Sequence, residues 1–326
     1  MSKTTGKRNP YLYKLLMDLD EFDKNEETIG TGGFGVVKKA TLPSNGSHPR
    51  RICAIKYLKA DSITSSKDQE HFHNEICCQS SLKHPAILPL IGYSVPLMTI
   101  GAYAIVTQYM PNKSLLHVIQ SLYSGDPPSG WNETKKAINI FGIAAGMAYV
   151  HQSDIIHRDL KTENVMLDEN FYPKIADFGL SKIFEEGTEG QINNTRNIGT
   201  PIYMAPELIN GENYSNKVDV FAYSYILYEI WTLRKAWSDK KKLKLFSLID
   251  FINKGQRPII KNDEIPKPYV DLIKKCWETD PNSRPTFIQI VRQFMNNKEK
   301  YFKMSSINRK EFDDYIKAVT ENLKFD

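Results

Sequence analysis

Residues 156–165 read Ile156-His157-Arg158-Asp159-Leu160-Lys161-Thr162-Glu163-Asn164-Val165. β-branched flanks here enclose a crowd of charges, an arrangement that burial alone does not favour. A bare His-x-Asp would be explained equally well by a metal pair or a satisfied core pair. The whole spacing H-R-D-L-K-x-x-N is far rarer by chance. It offers a proton acceptor, a cation and an amide oxygen on one short segment. Asp177-Phe178-Gly179 follows, and then Ala205-Pro206-Glu207. Each tripeptide alone says little, since an isolated Asp-Phe-Gly is usually a turn. Their order and spacing behind the first run carry the information.

Upstream stands Ile29-Gly30-Thr31-Gly32-Gly33-Phe34-Gly35-Val36-Val37, a G-x-G-x-x-G-x-V. Glycine-rich turns also mark dinucleotide sites, but those require a helix directly after the third glycine and an acidic residue further on. Val36-Val37 favour a strand instead, and the next signature residue is Lys56 in Cys53-Ala54-Ile55-Lys56. A glycine loop joining two strands can lie over a triphosphate with its N–H groups facing the phosphates. The dinucleotide reading fails.

Coarse patterning divides the chain. Residues 1–21 form a polar lead-in with one helical turn around Leu12–Leu19. From Glu26 to Val106 the signals are strand-like, interrupted by one helix over Ser66–Leu82. After Met110-Pro111 helices dominate. One capped at Asn132 or Thr134 runs to His151 and is apolar nearly all round, as is Val218–Leu233, which marks both as buried. Tyr269–Trp277 and Thr286–Asn296 are amphipathic. The pattern predicts an α+β class with two unlike lobes and a hinge over 108–112.

The ordered motifs are similar to those of the eukaryotic protein kinase domain, over about residues 22–297. Two further stretches resemble the tyrosine-kinase-like group within it. These are His84-Pro85-Ala86-Ile87-Leu88-Pro89-Leu90-Ile91-Gly92-Tyr93 and Cys276-Trp277-Glu278-Thr279-Asp280-Pro281-Asn282-Ser283-Arg284-Pro285-Thr286. The resemblance implies a bilobal fold: a small antiparallel β lobe with one helix (22–107), a mainly helical lobe (113–297), and an ATP cleft between them. It implies transfer of the ATP γ-phosphate to protein hydroxyls in intracellular signalling, with Mg2+ as cofactor. Phosphoryl transfer rests on charge neutralisation and in-line positioning.

By this resemblance Asp159 accepts the substrate proton and Lys161 screens the moving phosphoryl group. Lys56, held by Glu75, neutralises the α- and β-phosphates. Asn164 and Asp177 hold the metal. Ile29, Gly30, Gly32, Gly33, Gly35, Val37, Ala54 and Lys56 line the nucleotide. Thr107 is the gatekeeper, and backbone groups of Gln108 and Met110 face adenine. Glu207 pairs with Arg284. Asp219 hydrogen-bonds the backbone around His157-Arg158, which accounts for an acid in so apolar a helix. Phe178 and Gly179, next to the metal aspartate, are regulatory. Arg158 reads a phosphate on the segment Leu180–Met204, with Thr195 as the switch and Thr200 holding the substrate segment near Asp159 and Lys161. The phosphate comes from an upstream kinase or from autophosphorylation.

Lys161, together with Gly199-Thr200 ahead of Pro201, resembles serine/threonine rather than tyrosine kinases. A dual-specificity kinase is one alternative. A pseudokinase scaffold is the other, but such proteins typically lose the lysine, the catalytic aspartate or the metal aspartate, and all three are present here. Two positions depart from the family pattern. Gln79 stands where an apolar side chain is usual, so Gln79→Leu is expected to raise basal turnover. Ser224 replaces a usual glycine.

Composition sets the remaining bounds. The 326 residues are 41% hydrophobic and 25% charged, with a net charge of +5 spread along the chain. That suits a folded catalytic unit and gives no support to a nucleic-acid partner. The four cysteines, Cys53, Cys77, Cys78 and Cys276, lack zinc spacing and read as reduced thiols. Ser2 rules out N-myristoylation, no apolar leader opens the chain, and Val218–Leu233 is too short to span a bilayer. A cytosolic or nuclear protein without membrane insertion is expected, its partners being protein substrates. The Lys240–Lys244 run reads as an exposed loop. Residues 298–326 predict a short helix whose Phe312, Tyr315, Ile316 and Val319 pack on the larger lobe.

Overall fold

The computed structural model describes residues 12–23, 26–32, 35–44, 49–58, 66–96, 102–183, 201–240 and 244–325. The chain forms two compact units, residues 1–83 with 88–111, and residues 84–87 with 112–326.

The first unit is a five-stranded antiparallel sheet in the order β1-β2-β3-β5-β4. Its strands are β1 (Glu27–Gly32), β2 (Gly35–Leu42), β3 (Arg51–Leu58), β4 (Leu90–Ser94) and β5 (Ala104–Gln108), with one helix, α1 (Ser66–Ser81), between β3 and β4. Alternation along β3 sorts its side chains onto two faces. Cys53 and Ile55 join Phe22, Ala40, Leu42, Ala104 and Val106 in a core closed by Met17 and Leu19 of the lead-in. On the opposite face Leu58 and Ile105 pack against Phe72 and Ile76 of α1. Lys56 therefore points to the α1 side. A side chain at Gly35 would put its Cβ 1.9 Å from the Tyr57 carbonyl oxygen, so only glycine lets β2 start this close to β3.

The second unit is mainly helical. It holds α2 (Leu115–Tyr123), α3 (Glu133–Gln152), α4 (Pro206–Ile209), α5 (Lys217–Thr232), α6 (Leu245–Asn253), α7 (Lys267–Cys276), α8 (Phe287–Asn296), α9 (Lys298–Tyr301) and α10 (Arg309–Thr320). Short pairs β6 (Ile155–Ile156) with β9 (Lys182–Ile183), and β7 (Val165–Leu167) with β8 (Pro173–Ile175), bracket the 156–165 run. As the all-round apolar pattern requires, α3 and α5 are buried along nearly their whole length. Asn132 caps α3 by accepting the Lys135 N–H, and Thr286 and Gln289 form a capping box on α8. The α+β class and the two unlike units agree with the expectation. Sequence reading missed α2, α6 and the short strand pairs, which are too brief for a periodicity to develop. No helix among the described residues is long and apolar enough to cross a membrane. All four cysteines are free thiols.

The C-terminal helix packs as its spacing predicted. Phe312, Tyr315, Ile316 and Val319 are buried, and a Cβ on Gly142 of α3 would meet the Tyr315 hydroxyl at 2.3 Å. The Val319 carbonyl accepts from Nε2 of His84 at 2.8 Å, while Nδ1 of His84 accepts the Ala86 N–H at 3.1 Å. Both contacts require the neutral ring, which is buried and stacks on Tyr149. Burial lowers the pKa of His84 below its ordinary 6.5, and nearby Lys174 adds to this. A histidine depressed in the folded state contributes fully above the unfolded value and loses that contribution as pH falls below it. Stability should therefore decline from pH ~7 toward 5 by at most about 1.4 kcal/mol per pH unit from this group. Thermal melts across that range should show the slope, and His84→Asn should flatten it.

Candidate active site

In the first unit the register collects the residues expected at a nucleotide. Cα partners Gly30–Val37, Val37–Lys56 and Ala54–Thr107 share one face of the sheet. Ile29 is 41% exposed, and Gly32 ends β1. Gly33 lies outside the described residues. The Lys56 ammonium sits 3.0 and 3.1 Å from the two Glu75 carboxylate oxygens, an ion pair linking β3 to α1. The Gln108 amide donates to the Pro89 carbonyl at 3.2 Å, which takes that N–H away from any base. The Met110 side chain is buried.

Gln79, one helical turn beyond Glu75, is 3% exposed and its amide donates to the Leu88 carbonyl at 2.8 Å. Gln79 thus has a structural partner, a separate matter from the turnover of an apolar substitute. Gln79→Leu would strand a buried carbonyl, so the variant should lose about 1–3 kcal/mol of stability. A denaturant titration of the purified variant measures that loss.

In the second unit the 156–165 run is built around one buried carboxylate. Asp219 of α5 accepts the N–H groups of His157 and Arg158 at 2.9 Å each, and Nε2 of His151 at 2.8 Å. Burial alone would raise its pKa. The hydrogen bond and charge of His151, with the backbone bond, overcome that and hold the carboxyl below the usual range. These bonds fix Arg158 in the left-handed region at φ 65°, a backbone cost that the surrounding contacts must offset.

From this anchor the functional groups are set one by one. His157 faces the Ala176 carbonyl at 3.0 Å through Nε2 and packs its ring 4.9 Å from that of fully buried Phe178. Asp177 between them is also left-handed, at φ 67°, and Gly179 begins the turn that follows. Asp159 is 8% exposed. Its Oδ2 receives the Lys161 ammonium at 2.6 Å and the Asn164 amide at 2.9 Å. A second bond from the Asn164 amide to the Asp159 carbonyl, and one from the Ala176 N–H to the Asn164 carbonyl, both 2.9 Å, tie the run to the Asp177 segment. Asp159, Lys161, Asn164 and the Asp177 backbone are thus brought together.

Arg158 directs its guanidinium to the Leu180 carbonyl, to the Tyr214 hydroxyl at 3.0 Å and to the Ser181 carbonyl at 3.4 Å. Thr195 and Thr200 lie outside the described residues. Glu207 and Arg284 meet in a buried bidentate pair at 2.7 and 2.9 Å. The Ser224 hydroxyl bonds the Phe221 carbonyl within α5.

Sequence reading missed Glu229. Its Oε2 accepts from Thr162 of the run and from the Tyr203 hydroxyl, both at 2.8 Å, and its Oε1 accepts the Ala236 N–H at 3.0 Å. Burial raises its pKa. The signal was available, because an acid inside the apolar α5 needs partners for the same reason Asp219 does.

Comparison with known proteins points one way. Residues 24–298 match the family model described as the protein kinase domain. The chain is similar, at 35% identity, to a Dictyostelium discoideum protein named as a probable serine/threonine-protein kinase, over 82% of this chain and 27% of that one. It is 33% identical to an RGS domain-containing serine/threonine-protein kinase of the same organism, over 76% of this chain and 20% of the relative. Dual specificity protein kinase shkB, also from that organism, is 32% identical over 85% of this chain and 40% of its own length. The chain spans less than half the length of each of these relatives.

Proposed function

The chain belongs to the protein kinase domain family, and from that premise we propose that it transfers the γ-phosphate of ATP to serine and threonine hydroxyls of proteins. The observation that carries this reading is the triad Asp159–Lys161–Asn164, locked by direct hydrogen bonds on a run that Asp219 holds by its backbone.

In this reading the Asp159 carboxylate orients the substrate hydroxyl and takes its proton as the oxygen attacks the γ-phosphorus, and ADP leaves. Lys161, already on Asp159, offers its charge to the phosphoryl oxygens. Lys56, presented by Glu75, neutralises the phosphates that depart with ADP. A divalent cation fits the donor set. Asn164 commits its NH2 to Asp159, and its amide oxygen with the Asp177 carboxylate makes a hard oxygen pair suited to Mg2+. Such an ion neutralises charge on the β- and γ-phosphates. Arg158 is the residue that would read a phosphate on the 180–204 segment, with Thr195 as its site. The stretches 84–93 and 276–286 support placement in the tyrosine-kinase-like group.

The test is transfer of label from Mg-ATP to a generic protein substrate by the purified chain, followed by phosphoamino-acid analysis. Label on serine and threonine is expected. The likeness to a dual-specificity relative makes phosphotyrosine in addition a second outcome. Phosphotyrosine alone overturns the specificity, and no transfer by a folded, ATP-binding chain leaves a pseudokinase scaffold.

A further inference from the structure

The side chains of β1 do little to fix it in place. It is an edge strand, none of its six residues is buried, and two of them are glycines. Its ladder to β2 is interrupted between Thr28 and Gly30, where Ile29 falls out of register. A bulged, glycine-containing edge strand without apolar anchors needs another restraint if Gly30 is to stay opposite Val37.

Glu26, the residue before β1, provides one. Its Oε1 accepts the Tyr57 hydroxyl of β3 at 2.5 Å, and its Oε2 accepts the Lys38 ammonium of β2 at 2.7 Å. That ammonium also lies 5.1 Å from the centre of the Tyr57 ring, so all three groups engage one another. Tyr57 packs on the core that holds Cys53 and Ile55, the face of the sheet opposite Lys56. Burial first, then the bond and charge of Glu26, push the Tyr57 hydroxyl above its ordinary range, so it stays protonated and donates. The Glu26 side chain is 18% exposed. Glu27 beside it is 70% exposed and 3.7 Å from Lys39, the kind of surface pair that contributes little. A single carboxylate therefore ties the start of β1 to both β2 and β3.

We propose that Glu26, Tyr57 and Lys38 are positioning residues for the nucleotide, a polar clasp that keeps β1 in the register placing Gly30 and Gly32 over the phosphates. The inference rests on the kinase reading above. The three side chains act through β1 and touch no reacting atom. β1 holds the nucleotide before and during transfer alike, so loss of the clasp weakens ATP binding and spares the chemical step.

The test measures Kd for Mg-ATP by calorimetry, and kcat and both KM values by label transfer, with the full chain. Tyr57→Phe and Glu26→Gln should each raise Kd and KM for ATP by about three- to tenfold, with kcat and the KM for protein substrate within about twofold of wild type. Lys38→Arg keeps the charge and should stay near wild type, and Glu27→Gln, the neighbouring acid, should change neither constant. Because Tyr57 acts through the Glu26 carboxylate, Tyr57→Phe should add little on top of Glu26→Gln. Thermal melts identify any variant whose folded fraction has fallen, which would lower kcat and leave KM for ATP unmoved. That pattern, or effects no larger than those of Glu27→Gln, overturns the clasp and leaves the kinase reading standing. If the wild type binds ATP but transfers no label, the kinase reading falls and the Kd values still decide the clasp. A folded wild type that binds no Mg-ATP overturns both.

Discussion

Asp159→Asn should lower phosphate transfer by about 10²–10³-fold, the size of effect expected when a positioned proton acceptor is lost. The substitution is nearly isosteric. An asparagine can still accept from the Lys161 ammonium and the Asn164 amide, which contact the aspartate at 2.6 and 2.9 Å, so the local packing should survive. What disappears is the negative charge and the basic oxygen. The loss should therefore fall on kcat, with little change in the KM for ATP. Initial rates with labelled ATP, beside a thermal melt of the same preparation, make the measurement. A variant that keeps more than about a tenth of the wild-type rate would remove Asp159 from the proton-accepting role.

The second large effect is on stability. Arg284→Met should cost about 3–5 kcal/mol, because it leaves the Glu207 carboxylate buried without its partner. The Arg284 side chain is 0% exposed and that of Glu207 5%, so no water replaces the lost contact. Arg284 also donates to the carbonyls of Glu278, Thr279 and Lys217 at 2.8, 3.0 and 3.1 Å. Replacing both partners, Arg284→Met with Glu207→Leu, removes the stranded charge but leaves the Glu278 and Thr279 carbonyls without that donor, while the Lys217 carbonyl keeps its place in the α5 helix. The double variant should recover part of the loss and stay below wild type, each carbonyl costing on the order of 1 kcal/mol or more. A double-mutant cycle from denaturant melts separates the two contributions. If the double variant equals the worse single one, the ion pair is not the source of the loss.

Much of this was legible beforehand because it depends on local chemistry. The glycine run followed by Val36-Val37 required a strand–turn–strand, and the unbroken apolar character of α3 and α5 required burial. An acid in α5 required partners, and the family resemblance pointed to the backbone at His157-Arg158 as the partner of Asp219. The same logic applied to Glu229 went unused, and its link to Thr162 and Tyr203 emerged only from the coordinates. Gln79 gained a partner that its position in the sequence did not reveal. Its position suggested a weakness in the active state, but the Leu88 carbonyl beside it gives the side chain a structural partner.

The order of the motifs and the two-face alternation of β3 are properties of the chain itself, since covalent spacing and strand period fix which residue types recur where. That much the sequence determined: the α+β class, the burial of α3 and α5, and the packed C-terminal helix. Tertiary structure alone decided which distant groups share a partner. Lys235 meets Glu163 across 72 positions, Thr162 meets Glu229 across 67, and His84 meets the Val319 carbonyl across 235. No periodicity encodes such pairs. They exist because a buried or half-buried charge must find its complement among whatever the packed helices bring near it.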